Sequence, residues 1–163
     1  MSRFVPADLN ELRDAIAEAL VAEEPLEIVA GGTKQGLGRP LQTPRMLDVS
    51  RLSGIREYEP SELVLTAGAA TPLAEIERVL AENNQMLAFE PPDWRMLLGS
   101  EGEPTLAGVL ACNLSGSRRI MAGAARDHFL GFRGVSGRGE IFKASGKVVK
   151  NVTGYDLCKL MAG

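Results

Sequence analysis

The chain has 163 residues, of which 45% are hydrophobic and 24% charged, and its formal net charge is −3. These values suit one globular domain or two small subdomains, and the acidic balance argues against non-specific nucleic-acid binding. No stretch has the length and apolarity of a signal peptide or a membrane span. The two distant cysteines, Cys112 and Cys158, suggest packed thiols in a reducing cytoplasm rather than a zinc site or a disulfide framework.

The first third of the chain predicts a small α/β unit. Asp8, with Glu11 three residues on, predicts an N-cap and capping box for an amphipathic helix over about residues 9–22. Residues 26–30 predict a short, mostly buried strand, and residues 46–49 predict a second strand. The run 31–38 between these strands holds four glycines. Backbone N–H groups in such a run can form an anion-binding concavity, although a plain glycine-rich connector remains the alternative.

The glycine run matches neither of two common phosphate-binding motifs. A Walker A loop requires Lys and Ser or Thr after its second glycine, but Leu37 and Gly38 follow Gly36. A Rossmann fingerprint requires a third glycine at the start of a helix, and the residues after Gly38 supply neither. A nucleoside-triphosphate-binding protein is therefore disfavoured, and the run is a phosphate cradle of another kind or none.

The rest of the chain predicts short strands and helices in a mainly antiparallel arrangement. The first predicted elements are a hairpin over 55–59 and 63–67, a helix that starts at Thr71-Pro72 and ends at Asn83-Asn84, and a short strand over 86–89. A loop over 92–103 follows, with Trp94 as a packing anchor, and then a short helix over 106–112 capped by Thr105 and a small-residue loop over 113–117. The last predicted elements are a hairpin over 129–136 and 140–144, an extended piece over 148–150, and a helix over 155–161.

Two loops rich in small residues, 31–38 and 104–117, lie in different parts of the chain. A ligand that spans both loops would be long and carry phosphate near its middle, as a dinucleotide does. Thr105, Asn113 and Ser115 offer groups that can hydrogen-bond a phosphate or a polar ring. In the simpler interpretation, Thr105 only caps a helix and residues 113–117 only form a turn.

An ordered set of motifs resembles the vanillyl-alcohol-oxidase-type, or PCMH-type, FAD-binding domain. The motifs are A-G-G-T-K at 30–34, P-T-L-A-G at 104–108 with Asn113 and Gly116, R-D-H-F-L-G at 126–131, and V-V-K-N-V-T-G-Y-D-L at 148–157. The last motif resembles a run shared by glycolate oxidase and D-lactate dehydrogenase flavosubunits. L-D-V-S-R-L at 47–52 and F-E-P-P at 89–92 bring the chain nearest to the FAD-binding E subunits of bacterial glycolate oxidases. The resemblance runs from about Leu9 onward.

The resemblance implies an α+β fold. Residues 1–53 are expected to form a small N-terminal α/β FAD subdomain, and residues 54–163 a second, mainly antiparallel subdomain with flanking helices. Relatives continue beyond the position of Gly163 with further FAD-domain sequence and a substrate or cap domain, so we expect an N-terminal portion of such a protein. A sheet that lacks a neighbouring strand exposes an edge, and dimerisation or aggregation through that edge is expected.

The resemblance also implies residues that bind FAD non-covalently, because Lys34 and Gln35 stand where some relatives carry a histidine that attaches the cofactor. A first group is expected at the diphosphate, a second beside the diphosphate and the isoalloxazine, a third on the adenosine side, and a fourth towards the flavin. These groups are Ala30, Gly31, Gly32, Thr33, Lys34, Gln35 and Gly36; Pro104, Thr105, Gly108, Asn113, Ser115 and Gly116; Arg126, Asp127 and Ile141; and Lys150, Asn151 and Tyr155. Alternatively, Asn151 holds a turn and Tyr155 packs. No catalytic residue or metal ligand is implied, and His128 is expected to be packed or at the surface.

The implied function is that of an FAD-binding component in a glycolate-type 2-hydroxy-acid oxidoreductase complex. The implied partners are a sister FAD subunit and an iron–sulfur subunit, and no nucleic acid is implied. The implied location is cytoplasmic, with the partners at the inner face of the membrane. This chain alone is expected to be inactive. The alternative is a non-catalytic assembly subunit that keeps the FAD fold without the cofactor.

Overall fold

The computed structural model describes residues 2–145 and 154–163, which form one parallel sheet, two antiparallel hairpins and several short helices. The strands are β1 (Ser2–Phe4), β2 (Leu26–Val29), β3 (Arg45–Asp48), β4 (Ile55–Glu59), β5 (Val64–Ala67), β6 (Gly131–Val135) and β7 (Ile141–Ser145). The helices are α1 (Leu9–Val21), α2 (Leu73–Ala81), α3 (Arg95–Leu98), α4 (Leu106–Ala111), α5 (Arg119–Ala122), a 3₁₀ turn (Ala125–Asp127) and α6 (Leu157–Met161). Within these ranges, no helix is both long and apolar enough to span a bilayer.

The N-terminal α/β unit forms as the local signals predict. The carboxylate of Asp8 accepts hydrogen bonds from the amides of Asn10 and Glu11, which confirms the N-cap of α1. The carboxylate of Glu11 accepts a hydrogen bond from the amide of Ala7 and not from the amide of Asp8. The reciprocal bond of the predicted capping box is therefore made by the residue before the N-cap. The sheet order is β1-β3-β2, all parallel. β1 is not predictable from the sequence pattern, because three residues are too few to show a period.

Asp48 ties β1 to β3 through its buried carboxylate. Arg3 donates from Nε to Oδ2 at 2.9 Å, and the amide of Ser50 donates to Oδ1 at 2.9 Å. Burial by itself would raise the pKa of Asp48, but the hydrogen bonds from Ser50 and Arg3 outweigh it. The pKa of this carboxyl therefore lies below its ordinary value of 3.8, and its charged form stabilises the sheet.

Asp48→Asn is expected to lower the free energy of unfolding at pH 7 by about 1–3 kcal/mol, because the hydrogen bonds of a buried charge are lost. The folded-state pKa is depressed, so this stabilisation is complete above 3.8 and disappears as the pH falls through the lowered pKa. Urea denaturation of the original chain and the variant from pH 7 into acid measures both effects. Asp14→Asn, which breaks an exposed pair with Arg13, is the control and should change stability by less than about 1 kcal/mol. A loss that is equal at every pH would contradict the argument.

Two antiparallel hairpins form where the sequence predicts them. β4 pairs with β5, with a register shift between Ile55 and Glu57, and β6 pairs with β7 in continuous register. The second hairpin packs against α1. In the part of the chain that the structure describes, each of these strands has one sheet neighbour, so edge-to-edge dimerisation stays a prediction. The division of the chain at residues 53 and 54 also stays a prediction.

Several local predictions are wrong for identifiable reasons. Residues 86–89 form no strand, because no strand among the described residues lies beside them and Phe89 packs into the core instead. The hydroxyl of Thr71 donates to the carbonyl of Gly68 at 2.7 Å, so it does not cap α2, and Pro72 takes the N-cap position. The predicted loop over 92–103 contains the one-turn helix α3. Residues 148–150 lie outside the described residues.

The core that positions the second loop lies between α2, α4 and the 3₁₀ turn. Its buried members are Leu73, Phe89, Val109, Leu114 and Ala125, and Trp94 packs against them. Val109 comes from the middle of α4, and Leu114 lies shortly after the C-cap of this helix, Cys112. Val109 and Leu114 belong to the same apolar cluster. The loop over 113–117 therefore has a defined position relative to the start of α4.

Candidate functional site

The glycine run after β2 lies directly against the segment that precedes α4. A Cβ atom on Gly31 would overlap the carbonyl oxygen of Glu103, and one on Gly102 would overlap the carbonyl oxygen of Gly31. The hydroxyl of Ser100 donates to the carbonyl of Thr33 at 3.1 Å. The two backbones touch, and only glycine permits this approach. The two loops that the sequence analysis associated with one ligand therefore lie side by side.

The backbone of residues 31–34 carries N–H groups that are free to bind a ligand. In the described ranges 2–145 and 154–163, these amides donate to no other group. The amide of Leu37 donates to the carbonyl of Lys34 at 2.9 Å and closes the turn, while Gly32 takes a positive φ of 67°. Successive unpaired amides in such a turn form an anion-binding concavity. The geometry fits a phosphate group at the end of β2.

Lys34 places a positive charge between the two loops. Its Nζ donates to the hydroxyl of Thr33 at 3.1 Å, and a Cβ on Gly108 of α4 would lie 3.5 Å from the same Nζ. Burial lowers the pKa of Lys34 from its ordinary value of 10.5, against the opposing influence of Cys112 and Asp93.

The Lys34 ammonium also lacks a carboxylate partner. None of the ion pairs among the described residues includes Lys34. Residues 146–153, outside this description, contain no Asp or Glu. A half-buried cation that has no carboxylate within ion-pair distance, and only a hydroxyl as hydrogen-bond acceptor among the described residues, favours a bound anion. The ammonium and the free amides of residues 31–34 thus fit the same negatively charged group.

The side chains of Asn113 and Ser115 join their loop to the 3₁₀ turn. Asn113 Oδ1 accepts from the amide of Arg126 at 3.0 Å, and Ser115 Oγ accepts from the amide of Ala125 at 2.8 Å. Asn113 has a positive φ of 47°, which Asn tolerates better than most residues. These bonds agree with the simpler interpretation that the residues hold a turn. Cofactor contact by Asn113 and Ser115 stays a prediction. Such contact would have to use the polar groups of these side chains that the two bonds do not occupy.

A cavity of about 580 Å³ opens beside this loop. It brings together four of the residues predicted from the resemblance, namely Asn113, Ser115, Arg126 and Asp127. Further lining residues, which the sequence analysis did not assign to the site, are Trp94, Cys112, Leu114, Arg119, Ile120 and Ala124. Trp94 both packs on the core and forms a wall of the cavity. The sequence offers one signal for these additional lining residues: Cys112 and Leu114 are the chain neighbours of the predicted site residue Asn113.

Other predicted residues lie at or near the loop contact. Ala30 and Gly31 follow β2 directly, and Gly36 approaches α3, where a Cβ would lie 3.7 Å from the carbonyl of Leu98. The Gln35 side chain donates to Glu27 and is exposed. Among residues 104–116, the carbonyl of Pro104 accepts from Leu73, Thr105 is buried and bridges Pro72, and the amide of Gly116 donates to Phe89.

The remaining predicted residues lie away from the cavity or beyond the described part of the chain. Ile141 begins β7, pairs with Val135 and is not among the residues that line the cavity. Tyr155 is 92% exposed, so the packing alternative for this side chain is wrong in the described structure. Lys150 and Asn151 lie outside the described residues. His128 Nε2 lies 2.8 Å from the carbonyl of Ala122, and its ring contacts Phe89.

Comparisons with known proteins identify the family of this chain. Residues 3–145 match the family described as FAD binding domain. Glycolate oxidase subunit GlcE of Escherichia coli (strain K12) is 43% identical over 152 residues, which cover 93% of this chain and 41% of that protein. Glycolate oxidase subunit GlcD of Bacillus subtilis (strain 168) is 32% identical over 105 residues, which cover 64% of this chain and 21% of that protein.

The fold also matches a solved structure. The crystal structure of 6-hydroxy-D-nicotine oxidase from Arthrobacter nicotinovorans superposes with a TM-score of 0.70 at 13% identity, covering 88% of this chain and 29% of that one. This likeness shows the fold alone and confirms the predicted PCMH-type α+β class. The chain spans about two fifths of the length of the GlcE relative. With a family match from residue 3 to residue 145, the chain belongs to the FAD-binding domain family.

Proposed function

We propose that this chain is the FAD-binding part of a subunit in a flavin-dependent 2-hydroxy-acid oxidoreductase of the glycolate-oxidase type. The observation that carries the proposal is the contact of Gly31 with Glu103, which sets free amides and the Lys34 ammonium beside the start of α4. The similarity to glycolate oxidase subunit GlcE supports the substrate class.

In this proposal the chain holds FAD without a covalent bond. The amides of residues 31–34 and the ammonium of Lys34 bind the diphosphate, and this ammonium lies beside Gly108 of α4. The cavity beside Asn113 and Ser115 takes the part of the cofactor next to the diphosphate. FAD supplies the hydride-accepting chemistry, while this chain supplies position and charge.

The partners and the location belong to the same proposal. The names of GlcE and GlcD describe subunits of one kind of oxidase, which supports a complex that includes a sister FAD subunit. We further propose an iron–sulfur subunit as the electron acceptor and a small 2-hydroxy acid as the substrate of the whole complex. The complex would lie in the cytoplasm, associated with the inner face of the membrane through its partners.

FAD binding by the purified chain tests the proposal directly. A ligand that binds only the folded state stabilises it, so FAD at one hundred times its dissociation constant should raise Tm by about 5–10 °C. FMN and AMP serve as comparison ligands, since each carries one part of the dinucleotide. Absence of a shift at saturating FAD would contradict the proposal and leave the assembly subunit without cofactor as the function.

Cys112 offers a native reporter of the same site. Its thiol is half-buried and lines the cavity, whereas Cys158 is buried and its pKa is raised by burial and then by Asp156. Iodoacetamide is therefore expected to alkylate Cys112 first, since the thiolate is the reactive form. FAD at about ten times its dissociation constant should slow this alkylation by about tenfold by mass action if it occupies the cavity. Peptide mass spectrometry with and without FAD measures the rate at each cysteine, and equal rates at Cys112 would contradict occupation.

A further inference from the structure

The segment from Asp93 to Glu103 packs against the glycine run and brings carboxylates towards a site that suits an anion. At one end of this segment, the backbone of Glu103 touches Gly31. At the other end, the Asp93 carboxylate lies near Lys34: burial lowers the pKa of this lysine, and Cys112 and Asp93 oppose that shift. A carboxylate that paired with the ammonium would compete with a diphosphate for it.

Arg95, the first residue of α3, binds both of these carboxylates. Its Nε and Nη2 donate to Asp93 Oδ2 at 2.9 and 2.7 Å, and its Nη1 donates to Glu103 Oε1 at 3.3 Å. The amide of Arg95 also donates to Asp93 Oδ1 at 3.0 Å. Hydrogen bonds from the side chain and the amide of Arg95 hold the pKa of Asp93 below its ordinary value of 3.8, so this carboxylate is charged at neutral pH. One guanidinium thus pairs with an acid at each end of the segment.

The backbone on either side of Arg95 fixes this residue relative to the glycine run. Its chain neighbour Trp94 packs against the apolar core cluster. The carbonyl of Arg95 accepts from the amide of Ser100 at 3.0 Å, and the hydroxyl of Ser100 donates to the carbonyl of Thr33. Two hydrogen bonds therefore connect the backbone of Arg95 to the residue that precedes Lys34.

We propose that Arg95 is a positioning residue for the diphosphate site, because its guanidinium holds the Asp93 carboxylate and leaves the Lys34 ammonium available to the cofactor. The inference rests on the proposed function, in which Lys34 binds the FAD diphosphate. Arg95 does not line the cavity and acts through Asp93. Without Arg95, the Asp93 carboxylate pairs with Lys34, and the apparent affinity for FAD falls with the fraction of chains whose ammonium is unpaired.

A double-mutant cycle of Arg95 and Asp93, measured by calorimetric titration of FAD, tests this role. Arg95→Met is expected to weaken FAD binding by about fivefold, the effect of one partly exposed ion pair that competes with the cofactor. Asp93→Asn alone should not weaken FAD binding, because Arg95 already holds the carboxylate and Asn keeps an oxygen for the Arg95 amide. Asp93→Asn added to Arg95→Met should restore the original affinity, since no carboxylate is left to pair with Lys34.

The matched control removes the same charge elsewhere. Arg78→Met breaks the exposed pair with Glu82 on α2 and should leave FAD affinity unchanged. Arg95→Gln is measured beside Arg95→Met and should behave like it, so the comparison survives if one of the two variants fails to fold. Equal FAD affinity in the original chain and in the Arg95 variants would overturn the inference. So would an equal effect of Asp93→Asn with and without Arg95, because the two charges would then act independently on the cofactor.

The pKa of Lys34 in the cofactor-free chain separates this inference from the proposed function. An NMR titration of the Lys34 side chain measures it. Asp93→Asn should lower the pKa of Lys34 more in the Arg95→Met background than in the original chain, because only there is Asp93 the counter-ion of the ammonium. An equal change in both backgrounds would overturn the inference. If the original chain does not bind FAD, the proposed function fails, and these pKa values still decide the role of Arg95.

Discussion

Gly31→Ala is expected to abolish measurable FAD binding and to lower the free energy of unfolding by about 3 kcal/mol, the upper range for overpacking a close contact. The added methyl group would overlap the carbonyl oxygen of Glu103, a backbone atom that cannot rotate away as a side chain can. Relief of the overlap requires the two loops to separate. Separation would also displace the amides of residues 31–34 from the start of α4. Urea denaturation and an FAD titration measure the two losses.

A control for this variant lies in the same loop. Gly36→Ala places its Cβ 3.7 Å from the carbonyl of Leu98, an ordinary contact, and the backbone of Gly36 does not adopt a positive φ. Its stability should stay within about 1 kcal/mol of the original chain, with any gain coming from reduced entropy of the unfolded state. Gly102→Ala should reproduce the Gly31→Ala phenotype from the other side of the contact. Equal stability of the Gly31 and Gly36 variants would show that the loops do not touch in solution.

Lys34→Met should weaken FAD binding by about 30–100-fold, which corresponds to about 2–3 kcal/mol for a charged hydrogen bond. The same change should leave the free energy of unfolding unchanged or raise it, because burial disfavours the ammonium and no carboxylate among the described residues forms an ion pair with it in the free protein. Lower affinity combined with equal or higher stability distinguishes a ligand-binding residue from a structural one. Calorimetric FAD titration and urea denaturation give both values, and Lys159→Met on the exposed face of α6 is the control.

The lowered pKa of Lys34 also makes a prediction about pH. The folded-state pKa lies below 10.5, so between these two values the unfolded chain binds more protons and stability contributed by this group rises with pH. A bound diphosphate favours the charged ammonium, so FAD affinity should fall as the pH rises through the lowered pKa. Lys34→Met should lose this alkaline decline. Persistence of the same decline in the variant would assign it to another group.

Local sequence signals were sufficient for the elements whose conformation depends on neighbouring residues. The Asp8 cap with the apolar spacing behind it specifies α1, and the alternation around Pro60-Ser61 specifies the first hairpin. The same signals failed where a distant partner decides. Residues 86–89 have the composition of a strand, yet no strand in the described part of the chain lies beside them. Ser2–Phe4, by contrast, become a strand because β3 offers an open edge.

For the site, the sequence by itself determined the two loops, the family and a cofactor that carries a diphosphate, because glycine runs and motif order are local properties. Only the tertiary structure decided that Gly31 touches Glu103, that Lys34 approaches Gly108, and that Arg119 and Arg126 share one cavity. Nothing in a local pattern distinguishes Arg119 from the ion-paired Arg118 beside it. Contacts between residues far apart in the chain depend on how α2, α4 and the 3₁₀ turn pack around one apolar core, and that packing is a property of the whole fold.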